Sequence, residues 1–177
     1  MVWNKRPYAT YSLASLLILA IILASCSISY KFDGGTINYE LTKTITIQEF
    51  PNRAPLVNPT LANTLDQELT RRFIEQTRLK PVSSNGDITI TGEITRYETQ
   101  DLGVKAEDSY ASRTRLNLSI RVQYENRKEP DQDIDQTFST FQEYDSSLML
   151  NDVEDELCRK MCVELVDMIY NATVANW

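Results

Sequence analysis

Arg113, Arg115 and Arg121 share one parity along a single alternating stretch, so they stand on one face of a strand. A guanidinium donates two parallel hydrogen bonds from a planar fork, which suits phosphate and carboxylate alike. Two partners are therefore open to these three: an anionic headgroup, or carboxylates such as Glu93 and acidic groups on another protein. Cys158 and Cys162 lie one helical turn apart. That spacing permits either a bridge or two buried thiols acting as small hydrophobes. A redox pair would need a cation cluster beside the thiols, and the apolar stripe that holds them argues against one. Asp131, Asp133 and Asp135 alternate, but the glycine and terminal glutamate of a calcium loop are missing. They read as a solvated hairpin edge that discourages strand addition. The chain has no histidine, which removes a Ser-His-Asp triad, a Cys-His dyad and a histidine-liganded zinc. No glycine-rich phosphate loop or nucleophile elbow appears. No catalytic residue, cofactor or metal site is assigned. The formal net charge of −7 argues against nucleic acid.

The third cysteine, Cys26, has a different setting. Lys5 and Arg6 precede the apolar run Leu16–Ala24, and small residues follow it. That is the layout of a secretory signal. The run is short for a membrane span, although extension back to Tyr11 leaves an uncleaved anchor open. Leu23-Ala24-Ser25-Cys26 resembles the lipobox of bacterial lipoproteins, whose cysteine is acylated after cleavage before it. Stable anchoring needs two or more acyl chains. Ser27 is not the aspartate of inner-membrane retention, and Ser27–Lys31 carries no acidic run like those of surface-exported lipoproteins. The expected address is the periplasmic side of the outer membrane. Cleavage removes Lys5 and Arg6 and no acid, which takes the net charge from −7 to −9. Residues 1–25 are thus a signal peptide, 26–42 a lipid-anchored lead segment, and 43–177 one domain.

The elements of that domain follow from periodicity. Thr44 to Phe50 begins as clean alternation and predicts a strand, ended by Pro51 and Pro55. Asn58-Pro59 opens a helix with Leu61, Leu65, Leu69 and Phe73 on one stripe, closed by Lys80-Pro81. Glu68 with Arg72 is the expected surface pair. A second strand starts at Ile88, with Gly92 in the apolar register marking a bulge or close packing against a helix. Residues 98–112 read as a polar loop. Arg113 to Tyr124 is the clearest strand, and Ile134 to Phe141 returns as a fourth. Asn151 caps a second helix with a wide apolar stripe from Val153 to Ile169 and pairs Asp155–Arg159 and Glu156–Lys160. The order strand, helix, strand, strand, strand, helix predicts an α+β two-layer sandwich. Two helices cover one face of a four-stranded mixed sheet, with the first two strands parallel. The other face is polar: Arg113, Arg115, Asn117, Ser119, Arg121 and Gln123 from the third strand, Thr89 to Tyr97 at odd positions from the second, and Thr44, Thr46 and Gln48 from the first.

Several short stretches in this order carry a resemblance. They include Phe50-Pro51-Asn52-Arg53-Ala54, Gln76-Thr77-Arg78-Leu79, Gly92-Glu93-Ile94-Thr95-Arg96-Tyr97, Phe138-Ser139-Thr140-Phe141 and the ending Asn171 to Trp177. Together they resemble the LptE-type lipopolysaccharide-assembly lipoproteins, in their Bacteroidetes branch. The resemblance implies a non-enzymatic lipoprotein that plugs an LptD-like β-barrel and helps deliver lipopolysaccharide to the outer leaflet. It also implies two helices on a four-stranded sheet. The other function class open to the sequence is a free-standing envelope lipoprotein that binds peptidoglycan or another lipid.

Overall fold

The computed structural model describes residues 37–103 and 112–174. The signal peptide, Cys26, the lead segment as far as residue 36 and the terminal Asn176-Trp177 lie outside the described residues. The elements are β1 (Thr44–Ile47), α1 (Leu61–Gln76), β2 (Lys80–Pro81), β3 (Ile88–Asp101), β4 (Arg113–Asn126), a 3-10 turn (Pro130–Gln132), β5 (Ile134–Asp145) and α2 (Leu150–Thr173). They form the predicted α+β sandwich. The sheet runs β2-β1-β3-β4-β5, with β1 parallel to β3 and antiparallel pairs after that.

The fifth strand is the two-residue β2, which pairs in parallel with β1. The helix stops before Lys80-Pro81, at Gln76 with Thr77 as an extended C-cap, and the chain then returns beside β1, where Lys43 and Ile45 carbonyls accept from the Lys80 and Val82 N–H groups at 2.9 Å. β3 is also longer than its sequence pattern. Glu98–Asp101, expected as loop, pair with β4 as far as Thr114.

The helices start and end for local reasons. Asn58 Oδ1 accepts from Thr60 N–H at 2.8 Å and Leu61 N–H at 3.0 Å and so braces the turn into α1, but the helix starts at Leu61 with Thr60 as its N-cap, and Pro59 lies outside it. Leu61, Leu65, Leu69 and Phe73 are fully buried. Arg72 does not pair with Glu68. It reaches Asp167 on α2 at 3.0 Å and sits over the Tyr170 ring, while Arg71 binds Glu68 and Glu75. α2 begins at Leu150 rather than after Asn151, with no side-chain cap, and runs past Asn171 to Thr173. Of its two expected surface pairs, Glu156–Lys160 forms at 2.7 Å.

The core lies between the helices and one face of the sheet. Ile88, Ile90 and Ile94 of β3 and Leu116, Leu118, Ile120, Val122 and Tyr124 of β4 meet the stripe of α2 from Leu157 to Ile169. Gly92 shares that face. A Cβ there would stand 2.3 Å from both Phe50 Cε1 and the Arg121 carbonyl, so the close neighbour is the Phe50 ring rather than a helix. The bulge comes later, between Ile94 and Arg96. An extra residue in one strand reverses the parity beyond it. Tyr97, expected on the polar face, is therefore in the core, and Arg96 takes the polar face instead. The Tyr97 hydroxyl donates to Glu154 Oε1 at 2.5 Å and lies 3.2 Å from Cys158 Sγ.

Cys158 and Cys162 are both free and buried. Burial pushes both thiols up, Cys162 to about 12. They pack as small hydrophobes. The three aspartates of the β4–β5 connection go separate ways. Asp133 accepts from Asn126 N–H at 2.7 Å, Asp131 sits in the 3-10 turn, and Asp135 leaves for β4. Among the described residues no cluster of acids and thiols comes together to hold a metal.

Candidate functional site

The sheet face away from the helices carries the residues singled out by parity. Register sets the rows: Arg115 opposite Glu143, Asn117 opposite Phe141, Ser119 opposite Ser139, Arg121 opposite Thr137, Gln123 opposite Asp135. Arg113, Arg115 and Arg121 all stand on it. Arg113 and Arg115 lie together at one end. Arg121 is six residues further, roughly 20 Å at ~3.3 Å per residue.

Each of these arginines faces an acid on β5. Arg115 donates from Nε and Nη2 to Glu143 Oε1 at 3.2 and 2.7 Å. Arg121 grips Asp135 through both oxygens, Nε to Oδ1 at 2.8 Å and Nη2 to Oδ2 at 2.6 Å. That fork, with Gln123 Nε2 at 3.3 Å, holds the Asp135 carboxyl down at about 2. Arg113 faces Asp145 in register. On β3, Arg96 binds Glu98 at 2.5 Å. Of the two carboxylate partners open to the sequence, Glu93 is opposite Arg121 in register, yet the guanidinium turns to β5. Arg96, Arg115 and Arg121 are thus ion-paired within the sheet, whereas Arg113 only faces Asp145 in register and, among the described residues, Glu93 and Glu125 form no ion pair.

Two features were missed by sequence reasoning. Phe141 is on this face, 48% exposed, with the Arg115 guanidinium 4.1 Å above its ring. Its parity with Thr137 and Ser139 was the available signal. A shallow pocket of about 230 Å³ also opens here, lined by Pro51, Thr91, Gly92, Glu93, Arg121 and Gln123.

Thr44 and Thr46 are not part of the free face. Thr46 is 3% exposed, and its hydroxyl donates to the Val82 carbonyl while accepting from Gly86 N–H. Thr44 is tied to Asp87, whose Oδ2 accepts from Lys43 N–H, Thr44 N–H and the Thr44 hydroxyl at 2.9–3.1 Å. These bonds hold the Asp87 carboxyl below the ordinary range. The loop after β2 therefore covers β1, and the open face is built from β3, β4 and β5.

A family model described as "LptE: Lipopolysaccharide-assembly" matches residues 42–173, nearly the whole described domain. The chain belongs to the LptE family. That family consists of non-enzymatic envelope lipoproteins that work with the lipopolysaccharide-transport machinery. A comparison with curated proteins returns no match. Among solved structures, the chain is similar to the rare lipoprotein B from Shewanella oneidensis, at 12% identity and TM-score 0.51, covering 73% of this chain and 92% of that one. It also matches a minor lipoprotein from Acinetobacter baumannii at 17% identity and TM-score 0.46, covering 72% and 89%. At these identities the first likeness is one of fold. The LptE domain here thus presents a helix-covered core on one side and a polar, partly ion-paired sheet on the other.

Proposed function

We propose that this LptE-family protein is an outer-membrane lipoprotein that docks inside an LptD-like β-barrel as its plug and assists lipopolysaccharide insertion. Cleavage after Ser25 and acylation of Cys26 anchor it on the periplasmic side of the membrane. The open sheet face is its docking surface. The observation that carries this is the pairing of Arg115 with Glu143 and Arg121 with Asp135. A barrel lumen of this class is polar. Arg115 and Arg121, already paired, can enter it without being stranded as unpaired ions, which would be costly once water is excluded.

The same pairing weighs against Arg115 and Arg121 as free phosphate receptors, since a headgroup would have to compete with the carboxylates of Glu143 and Asp135. Docking is therefore the first role of Arg113, Arg115 and Arg121, and direct lipopolysaccharide contact the second. Affinity purification from outer membranes tests the proposal. The expected result is copurification with a large β-barrel in about equal amount. Recovery alone would favour the free-standing envelope lipoprotein that binds peptidoglycan or another lipid.

A further inference from the structure

The two edges of the sheet are unlike. The β2 edge is two residues long and contains Pro81. The β5 edge is 12 residues long and pairs with β4 without a register shift. Edges of natural sheets are usually blunted by lysine, proline, a bulge or brevity. β5 (IDQTFSTFQEYD) has no lysine, arginine, proline or glycine; its acids, Asp135, Glu143 and Asp145, blunt its two ends and leave Gln136 to Gln142 uncharged. Among the described residues no other backbone bonds to it along this side.

The direction of its free groups follows from the ladder. Ser146 N–H donates to the Ser112 carbonyl at 2.9 Å, and these two are opposite one another in the extended register. In an antiparallel pair the hydrogen-bonded positions alternate. Even-numbered residues of β5 therefore bond β4. Odd-numbered residues, Asp135 to Asp145, point their N–H and C=O groups outward. The same odd residues place their side chains on the open face, Phe141 among them.

We infer that β5 accepts an added strand: an extended, uncharged to basic segment of the barrel partner, laid along Thr137–Glu143. This rests on the docking proposal above and names how the contact is made. A closed barrel has no free strand edge, so the segment must come from a loop or a terminal stretch of the partner. Main-chain bonds would supply the affinity, and Phe141 with its stacked Arg115 would select an apolar or β-branched residue opposite it. A second copy of this chain is a poor occupant. Antiparallel self-pairing about Ser139 would set Asp135 opposite Glu143, like against like, and β5 carries no base to offset them.

The test is hydrogen–deuterium exchange resolved to single residues, on the copurified complex and on the protein alone. In the free protein, amides 138, 140 and 142 are slow and amides 137, 139, 141 and 143 are fast. In the complex the odd set slows by about tenfold or more. Thr137→Pro removes one outward N–H and leaves the β4 ladder whole, because proline is tolerated where the N–H faces outward. That variant should keep its fold and lose the slow exchange at 139 and 141. A wild-type complex whose odd amides stay fast overturns the strand addition and leaves the barrel proposal standing. Absence of any barrel complex removes both. Slow odd amides in the protein alone, at the mass of a dimer, would assign the edge to a second copy and overturn the inference as stated.

Discussion

The ring of Phe50 occupies the space into which a side chain on Gly92 would project, with Cε1 2.3 Å from the position of the missing Cβ. Phe50 is itself fully buried. The chain reaches this point after β1, where it still tracks β3: Arg53 N–H donates to the Ile94 carbonyl at 2.9 Å and Ile94 N–H to that of Pro51 at 3.0 Å. Gly92→Ala should therefore destabilise the domain by about 2 kcal/mol or more through overpacking. Urea unfolding measures it. Phe50→Leu in the same chain should recover only part of the loss, because the Arg121 carbonyl is equally close and is backbone.

The buried thiols predict a pH dependence. An unfolded cysteine ionises near ~8.5. In the fold, burial raises both thiols, Cys162 to about 12. A raised acid stays protonated in the native state while the unfolded state loses its proton. Stability is then fully present below about pH 8.5 and falls as pH rises toward 12, by at most about 1.4 kcal/mol per unit for each thiol. Cys162→Ala should flatten part of that slope between about pH 8.5 and 10 relative to the wild-type protein. Equal slopes would mean that Cys162 is not held neutral. Neither thiol should react with alkylating reagent before unfolding.

Tyr97 shows where the sequence stopped being readable. Strict alternation from Ile88 places it outward, and only the added residue between Ile94 and Arg96 turns it in. Nothing in the residue types marks that bulge; Thr95 is an ordinary strand residue whose hydroxyl donates to the Ser119 carbonyl. Similarly, Lys80-Pro81 spells a helix stop in local terms, and becomes a strand only through a neighbour more than 30 residues away. By contrast, the α1 stripe and the parity of β4 depend on local periodicity, and both were legible. The arginine face was legible for the same reason. Its pairing was not, because the match of Arg121 with Asp135 depends on a register that single strands do not encode. Tyr97→Phe follows from this site. It leaves Glu154 and Cys158 without their hydroxyl partner and should cost about 1–2 kcal/mol in unfolding free energy, with no loss of the sheet.

Mature protein should begin at an acylated Cys26. The motive is the Leu23-Ala24-Ser25-Cys26 junction. Mass spectrometry of the N-terminal peptide from outer-membrane fractions decides it. An intact residue 1–25 segment, or Cys26 with a free thiol, would refute the anchoring.

The role of the arginines turns on two quantities followed together. Arg115→Glu with Arg121→Glu abolishes both ion pairs and places like charges beside Glu143 and Asp135. The pairs are half-exposed, so the fold should lose only about 0–1 kcal/mol for each and the variant remains usable. If the face docks in the barrel through its matched charges, barrel recovery falls by roughly tenfold or more, since like charges met in a closed interface are strongly unfavourable. Lipopolysaccharide binding measured on the isolated domain should then change little. The exchange variant Arg121→Asp with Asp135→Arg rebuilds one pair in reverse and should restore most of the association lost by Arg121→Asp alone. Loss of lipopolysaccharide binding with the barrel complex intact would instead assign these arginines to the headgroup. If both properties survive the double reversal, the face is simply solvated, and Arg113, Arg115 and Arg121 belong to neither contact.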